Sequence, residues 1–360
     1  MKSCKSFVIA FVALVLLLLA SAGAVVVIVD PYFHYHKPLE GLFYELNNER
    51  SQNDGITKHF DYDAIITGTS MTENFKTSEA DRIFDARFIK VPYSGASFKE
   101  INDNLKVAFT YNKKLRMVIR SLEPNFIASD KNWMRIDQGN YPTYLYDKNI
   151  LNDVSYVFNR EAFSVCAFIV YNSIRTGISG CTDFDRYSNW MKVFTFGKEA
   201  VFSYKGEERE CFSEPEKQVP LSQKDLQNTI ENITQNVTAL AQENPQCTFF
   251  YFFAPYSIVF WGRLYETGTL EQQLEIERTT IELILSCGNI RLYSFNTEFD
   301  LVTNLDNYKD LSHYGEWINS LMLEYMKEGR GLLTKDNYLD YLAKEKEFYL
   351  NFDYNSLFVE

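Results

Sequence analysis

The sequence predicts an α/β protein, an open five-stranded parallel sheet with helices on both faces, preceded by one membrane-spanning helix. Three observations predict it. Short runs of β-branched and aromatic residues alternate with stretches of helical apolar period, which is the pattern of strand–helix units and a parallel sheet. One long apolar segment without charge stands at the N-terminus. Over 360 residues the chain is 46% hydrophobic and 23% charged, with only 16 Gly and 9 Pro. That composition supports a packed core and excludes collagen-like, low-complexity or wholly disordered chains.

The apolar segment runs from Phe7 to Val29. At 1.5 Å per residue it covers roughly 34 Å, enough to cross a hydrocarbon core of ~30 Å. Lys2 and Lys5 precede it and Asp30 follows. The positive-inside bias then puts the N-terminus in the cytoplasm and everything after Asp30 outside. Ala20-Ser21-Ala22 has the small residues of a signal-peptide cleavage site. The apolar run continues past it to Val29, however, so an uncleaved single-pass anchor is expected. No Cys follows Gly23 closely enough for a lipoprotein anchor.

Past the anchor, residues 31–60 read as a polar and aromatic juxtamembrane segment. His34 and His36 lie within it, read as an aromatic belt rather than a metal site. The α/β domain spans 61–330. Its first strand is Asp63–Thr67, followed by Gly68-Thr69-Ser70 and a helix over Thr77–Phe84. The second strand, Arg87–Val91, ends at Pro92-Tyr93-Ser94-Gly95. A helix over Phe98–Tyr111 follows, with Phe98, Ile101, Leu105 and Ala108 on one face. Leu115–Ile119 is the third strand. An insertion over 125–220, rich in Tyr, Asn and Phe, separates it from the fourth. Gln223–Ala241 is an amphipathic helix with an apolar stripe from Leu226 to Leu240. The sequons at Asn232 and Asn236 fall on its polar face. Cys247–Phe253 is a strand of buried type, Leu270–Cys287 a helix, Ile290–Phe295 the fifth strand and Tyr314–Lys327 the last helix. The tail, 331–360, reads as a surface helix.

Charge and cysteine content narrow the function. Lys plus Arg total 36 and Asp plus Glu 48, a net charge of −12. A nucleic-acid partner, which needs a basic face, is excluded. Four His and no Cys-x-x-Cys pair give no metal pattern, so neither metal nor cofactor is expected. Of six Cys, Cys4 falls on the cytoplasmic side. Cys166–Cys181 or Cys181–Cys211 are open as disulfides in an oxidising compartment, and Cys247 and Cys287 read as core.

Three short stretches carry chemistry. Ser70 follows the first strand, at the C-terminal sheet edge where open α/β sheets bind ligands. A serine hydroxyl needs a base to become nucleophilic. Asp310-Leu311-Ser312-His313 supplies an imidazole and a carboxylate to orient it. The plainer reading makes Asp310 a helix cap and His313 a first-turn surface residue. Gly95, after the second strand, lets backbone approach closely and offers an N–H to a developing oxyanion.

In order and placement these stretches resemble the SGNH/GDSL hydrolase superfamily, whose nucleophile follows strand one in a Gly-Asp-Ser block and whose Asp-x-x-His lies near the C-terminus. The resemblance covers about 63–327 apart from the insertion, and implies a flavodoxin-like sheet. It implies Ser70 as nucleophile, His313 as base, Asp310 as its orienter, and the N–H groups of Ser70 and Gly95 as oxyanion donors. Thr69 stands where the superfamily has Asp. In place of the third-block Asn the chain has Arg120-Ser121-Leu122-Glu123-Pro124-Asn125, so Ser121 or Asn125 would be the third donor. With the N-terminal anchor, the chain is similar to a membrane-anchored branch that includes alginate-type O-acetyltransferases and the teichoic-acid D-alanylation protein. That branch implies an extracytoplasmic esterase or O-acyltransferase acting on a cell-envelope polysaccharide, with a membrane-bound acyl-transfer partner. Trp133, Tyr141, Tyr144 and Trp190 of the insertion are candidates to stack on sugar rings. The alternative is a non-catalytic envelope assembly or glycan-binding protein on the same fold.

Overall fold

The computed structural model describes residues 2–136, 141–203 and 210–359. Residues 137–140 and 204–209 of the expected insertion lie outside the described residues. The chain divides into two compact units: residues 1–60 with 136–183, and residues 61–135 with 184–360. The 125–220 stretch is therefore shared between the units rather than being one insertion.

In the first unit a helix over Lys2–Val29 is long and apolar enough to cross a membrane. It ends at Asp30, whose carboxylate accepts the N–H groups of His34, Tyr35 and His36 and the hydroxyl of Tyr156. Residues 31–60 are thus folded, and include a helix over Glu49–His59. Phe43–Tyr44 pairs in parallel with Gly180–Cys181. The helix Arg160–Thr176 starts at Asn159, whose side chain accepts from Glu161 and Ala162, and ends at Gly177 with φ +66°. It buries Ala162, Cys166, Ile169 and Ser173, a stripe at helical spacing.

The second unit holds the main sheet: β1 (Ala64–Gly68), β2 (Phe88–Pro92), β3 (Met117–Leu122), β4 (Thr248–Phe253), β5 (Ile290–Ser294) and β6 (Leu332–Leu333). Their order is β2-β1-β3-β4-β5-β6, parallel except that β6 runs antiparallel to β5. Among the described residues the sheet therefore has six strands, not the expected five. The sixth is two residues long, too short to leave an apolar run, and follows a reversal at Gly329 and Gly331, both at positive φ. Every residue of β1 and β2 is buried, as in a sheet covered on both faces. Successive strand residues point to opposite faces. Phe249 meets Phe109 of the helix Phe98–Tyr111, while Phe250 meets Phe84 of the helix Thr77–Phe84. The helix Phe98–Tyr111 opens on a reciprocal cap between Ser97 and Glu100.

Three elements differ from expectation. The helix from Gln223 has a π-type wide turn over Thr234–Thr238, and Asn232 and Asn236 are buried rather than on a polar face. Their amides hold the carbonyls of Phe126, Ile127 and Lys131, and the buried Arg120 guanidinium donates to the Asn236 carbonyl. The tail helix, Tyr338–Asn351, is not confined to the surface. Tyr349 is buried, stacks on Trp261 at 4.1 Å and donates to the Asn296 carbonyl. A helix over Ile258–Glu266 was not expected. All six cysteines are free thiols, Cys166, Cys247 and Cys287 being buried.

Candidate active site

The site is built where β1 ends. Gly68 has φ +149°, and a Cβ there would collide with the Ser121 hydroxyl and press on Thr72. Glycine is therefore required at the last strand residue. Thr69 then caps a single 3₁₀ turn, Ser70–Thr72, accepting from the Met71 N–H. The Thr72 hydroxyl donates back to the Thr69 carbonyl at 2.8 Å. This tight turn carries the Ser70 side chain off the strand end.

His313 comes from the loop before the last sheet-covering helix. Tyr308 and Tyr314 form an antiparallel bridge, and the Lys309 N–H donates to the His313 carbonyl. Asp310 to His313 is the tip of that small reversal. The tip is tied down by the Ser257 N–H and hydroxyl, both on the Leu311 carbonyl. Tyr314 and Asn319 both donate to the Met71 carbonyl, joining the loop to the turn that holds Ser70.

Within this frame the Ser70 hydroxyl lies 2.7 Å from His313 Nε2. His313 Nδ1 lies 2.8 and 2.9 Å from the two Asp310 carboxylate oxygens. Asp310 also accepts the backbone N–H groups of Ser312 and His313. Burial acts to raise the Asp310 pKa, but the His313 ring and these two N–H groups outweigh it and hold the carboxyl below its ordinary value. Asp310 does not cap the following helix, which spans Glu316–Glu328 and has Gly315 at its N-cap. A hydroxyl, an imidazole and a carboxylate thus form one hydrogen-bonded chain. Such a chain can move a proton from oxygen to ring nitrogen and hold the resulting imidazolium.

The other expected residues fall differently. Gly95 has φ +61° in the turn after β2, and its carbonyl accepts Arg135 Nη1 at 3.1 Å. A Cβ at Gly95 would run into that guanidinium. Ser121 is buried and its hydroxyl donates to Glu123, while Asn125 is exposed on the short helix Pro124–Ile127. Neither side chain joins the Ser70–His313–Asp310 chain. Trp190 stands against His313, and its ring is stacked by Phe196. Trp133 packs on Phe126 elsewhere in the second unit, whereas Tyr141 and Tyr144 belong to the first.

Sequence reasoning missed Glu123 and Lys309. The Glu123 carboxyl is buried, accepts from Ser121 and Tyr256, and is hydrogen-bonded by Thr69, the residue before Ser70. Burial raises its pKa against those hydrogen bonds and the nearby His313. An acidic residue closing an apolar strand, just before Pro124, was the available signal. Lys309 places its ammonium 4.0 Å from the Trp190 ring centroid and 3.6 Å from that of Phe194, a cation–π cradle beside Asp310. Burial lowers its pKa, opposed by Asp310 and Glu73.

No protein-family model and no curated protein matches the sequence. Among solved structures, the chain is similar to one described as "a putative platelet activating factor from Streptococcus pneumonia", at 9% identity and a TM-score of 0.36. The match covers 78% of this chain and 91% of that one. At that score the likeness carries no argument about fold or activity.

Proposed function

We propose that the protein is a membrane-anchored, extracytoplasmic serine esterase or O-acyltransferase of SGNH type, with a flavodoxin-like sheet, acting on acyl esters of a cell-envelope polysaccharide. The observation that carries this reading is the Ser70–His313–Asp310 chain at the C-terminal edge of a mostly parallel sheet. In the proposed step Ser70 Oγ attacks the acyl carbonyl while His313 Nε2 takes its proton. Asp310 holds the Nδ1–H and balances the imidazolium. The N–H groups of Ser70 and Gly95 receive the oxyanion, and His313 returns the proton to the departing sugar oxygen. Water or a second sugar hydroxyl then takes the acyl group from Ser70, with His313 again as base.

The engagement of the Ser121 hydroxyl by Glu123 and the exposure of Asn125 favour an oxyanion site made from backbone alone. The test is a fluorophosphonate probe followed by mass spectrometry. A covalent adduct on the Ser70 peptide, lost in Ser70→Ala together with acetyl-ester hydrolysis, is expected. No adduct and no hydrolysis, with glycan binding unchanged in Ser70→Ala, would move the protein to the non-catalytic class.

A further inference from the structure

The first unit exposes apolar surface beside the Asp30 end of its long helix in a way that one anchor does not explain. From Phe7 to Leu19 that helix is exposed all round, as expected of a segment whose solvent is lipid. Nearer Asp30 one stripe of it, Gly23, Val26 and Val29, is covered by protein. The cover at Gly23 comes from the turn around Val157 and Phe158. A Cβ on Gly23 would meet Val157 Cγ1 at 2.9 Å and the Phe158 ring at 3.5 Å. Counting from Phe7, about 20 residues cross a hydrocarbon core of ~30 Å, so the far boundary falls near Val26. Gly23 then lies roughly 5 Å inside that boundary, and so does whatever touches it.

The covering segment is itself apolar on its outer side. Ile150 is 79% exposed, Leu151 82%, Val154 55% and Phe158 52%. The helix Arg160–Thr176 continues the pattern. It buries one stripe in its own unit, yet leaves Phe163, Phe168, Tyr171 and Ile174 open, the last at 79% exposure. Phe163, Val170 and Ile174 recur at i, i+7 and i+11 and so share one flank. Arg160 and Arg175, both exposed, stand at the two ends of the helix. A water-facing segment rarely leaves so many large apolar side chains open. An interfacial helix does, with basic residues reaching the headgroups.

We propose that residues 150–178 form a second membrane element, seated in the headgroup and acyl boundary on the Asp30 side of the bilayer. Its occupant is lipid: acyl chains against Ile150, Leu151, Val154, Phe158, Phe163 and Ile174, and phosphates against the two arginines. The argument for lipid is continuity with the lipid-exposed helix at Gly23. It rests on reading Phe7–Val29 as an uncleaved span.

The test uses the full chain in phosphatidylcholine–phosphatidylglycerol vesicles, with Cys4, Cys181 and Cys211 replaced by serine. An environment-sensitive fluorophore is placed at Leu16→Cys, Phe163→Cys, Ile174→Cys or the exposed, polar Glu243→Cys, and quenched by lipid carrying a nitroxide on the acyl chain. Quenching at positions 163 and 174 several-fold above that at 243, alongside quenching at 16, is expected. Quenching at 16 with 163 and 174 at the level of 243 overturns the second element, whether water or another protein covers the patch, and leaves the anchor standing. Absence of quenching at 16 overturns the anchor reading and this proposal with it.

Discussion

Trp190 stands edge-on to His313, with ring centroids 5.8 Å apart and planes at 87°. Its backbone N–H is held by Asn74, and the Lys309 ammonium lies over its face. An aromatic pair of this geometry is worth ~0.5–1.5 kcal/mol beyond its buried area. Trp190→Ala is expected to lower kcat/KM on an acetyl ester by up to about tenfold, by loosening the imidazole. Trp190→Phe should recover most of it. Steady-state rates of the two variants check this.

The proton chain predicts non-additive losses. Asp310→Asn removes the charge that holds His313 in one tautomer, and the rate should fall by up to ~10⁴, a little over 5 kcal/mol of barrier. His313→Ala should cost at least as much. Combining Ser70→Ala with Asp310→Asn should cost no more than Ser70→Ala alone, because the three act as a unit. Full activity in Asp310→Asn would remove Asp310 from the mechanism.

Gly68→Ala tests the turn. The φ of +149° and the crowding by Ser121 and Thr72 both oppose a Cβ. Backbone strain of this kind costs about 1–3 kcal/mol. The melting temperature should fall by several degrees, and labelling of Ser70 by a fluorophosphonate should slow, since the strand end must shift. Differential scanning calorimetry and probe kinetics read the two effects.

A buried acid pair makes stability depend on pH. The Tyr341 hydroxyl lies 2.7 Å from Glu277 and 2.9 Å from Glu345, and both carboxyls are buried. Burial raises both pKa values, Glu277 being pushed up to about 7. The folded state therefore holds protons that the unfolded chain gives up near ~4.3. The stabilising contribution is complete below that value and is lost as pH rises through the raised values. Thermal stability should decline between about pH 5 and 8 from this source. Glu345→Gln, which removes one charge from the pair, should flatten that decline in melts across the same range.

The legible parts of the molecule are those with local causes. The run Thr-Phe-Phe-Tyr-Phe-Phe over 248–253 has the length and side chains of a doubly covered strand and forms β4. The spacing of Phe98, Ile101, Leu105 and Ala108 marks a helix whose bounds coincide with the observed Phe98–Tyr111. Ser70, Asp310 and His313 stood out because they flank regular elements, and the structure joins them by hydrogen bonds. Illegible features depend on distant partners. Tyr349 looks like a surface aromatic until Trp261 is placed against it. Asn232 and Asn236 look solvated until the 126–131 carbonyls need donors. Glu123 shows locally only as an acid closing a strand, since its partners Thr69 and Tyr256 come from other strand ends. The split of residues 125–220 between two units follows from side chains such as Tyr156 that find their partners near Asp30.

Ser70 and His313 are separated by 243 positions along the chain. The two side chains meet only after the segments that supply β1 to β5 and the loop beyond them are all in place. At a ribosome adding ~5–20 residues per second, Ser70 waits at least about ten seconds for its base to be synthesised. Contacts of such long range also form late and slowly in folding. A nascent chain that ends before His313 therefore carries a serine with no imidazole beside it, and the proposed acyl chemistry needs the chain to extend at least that far.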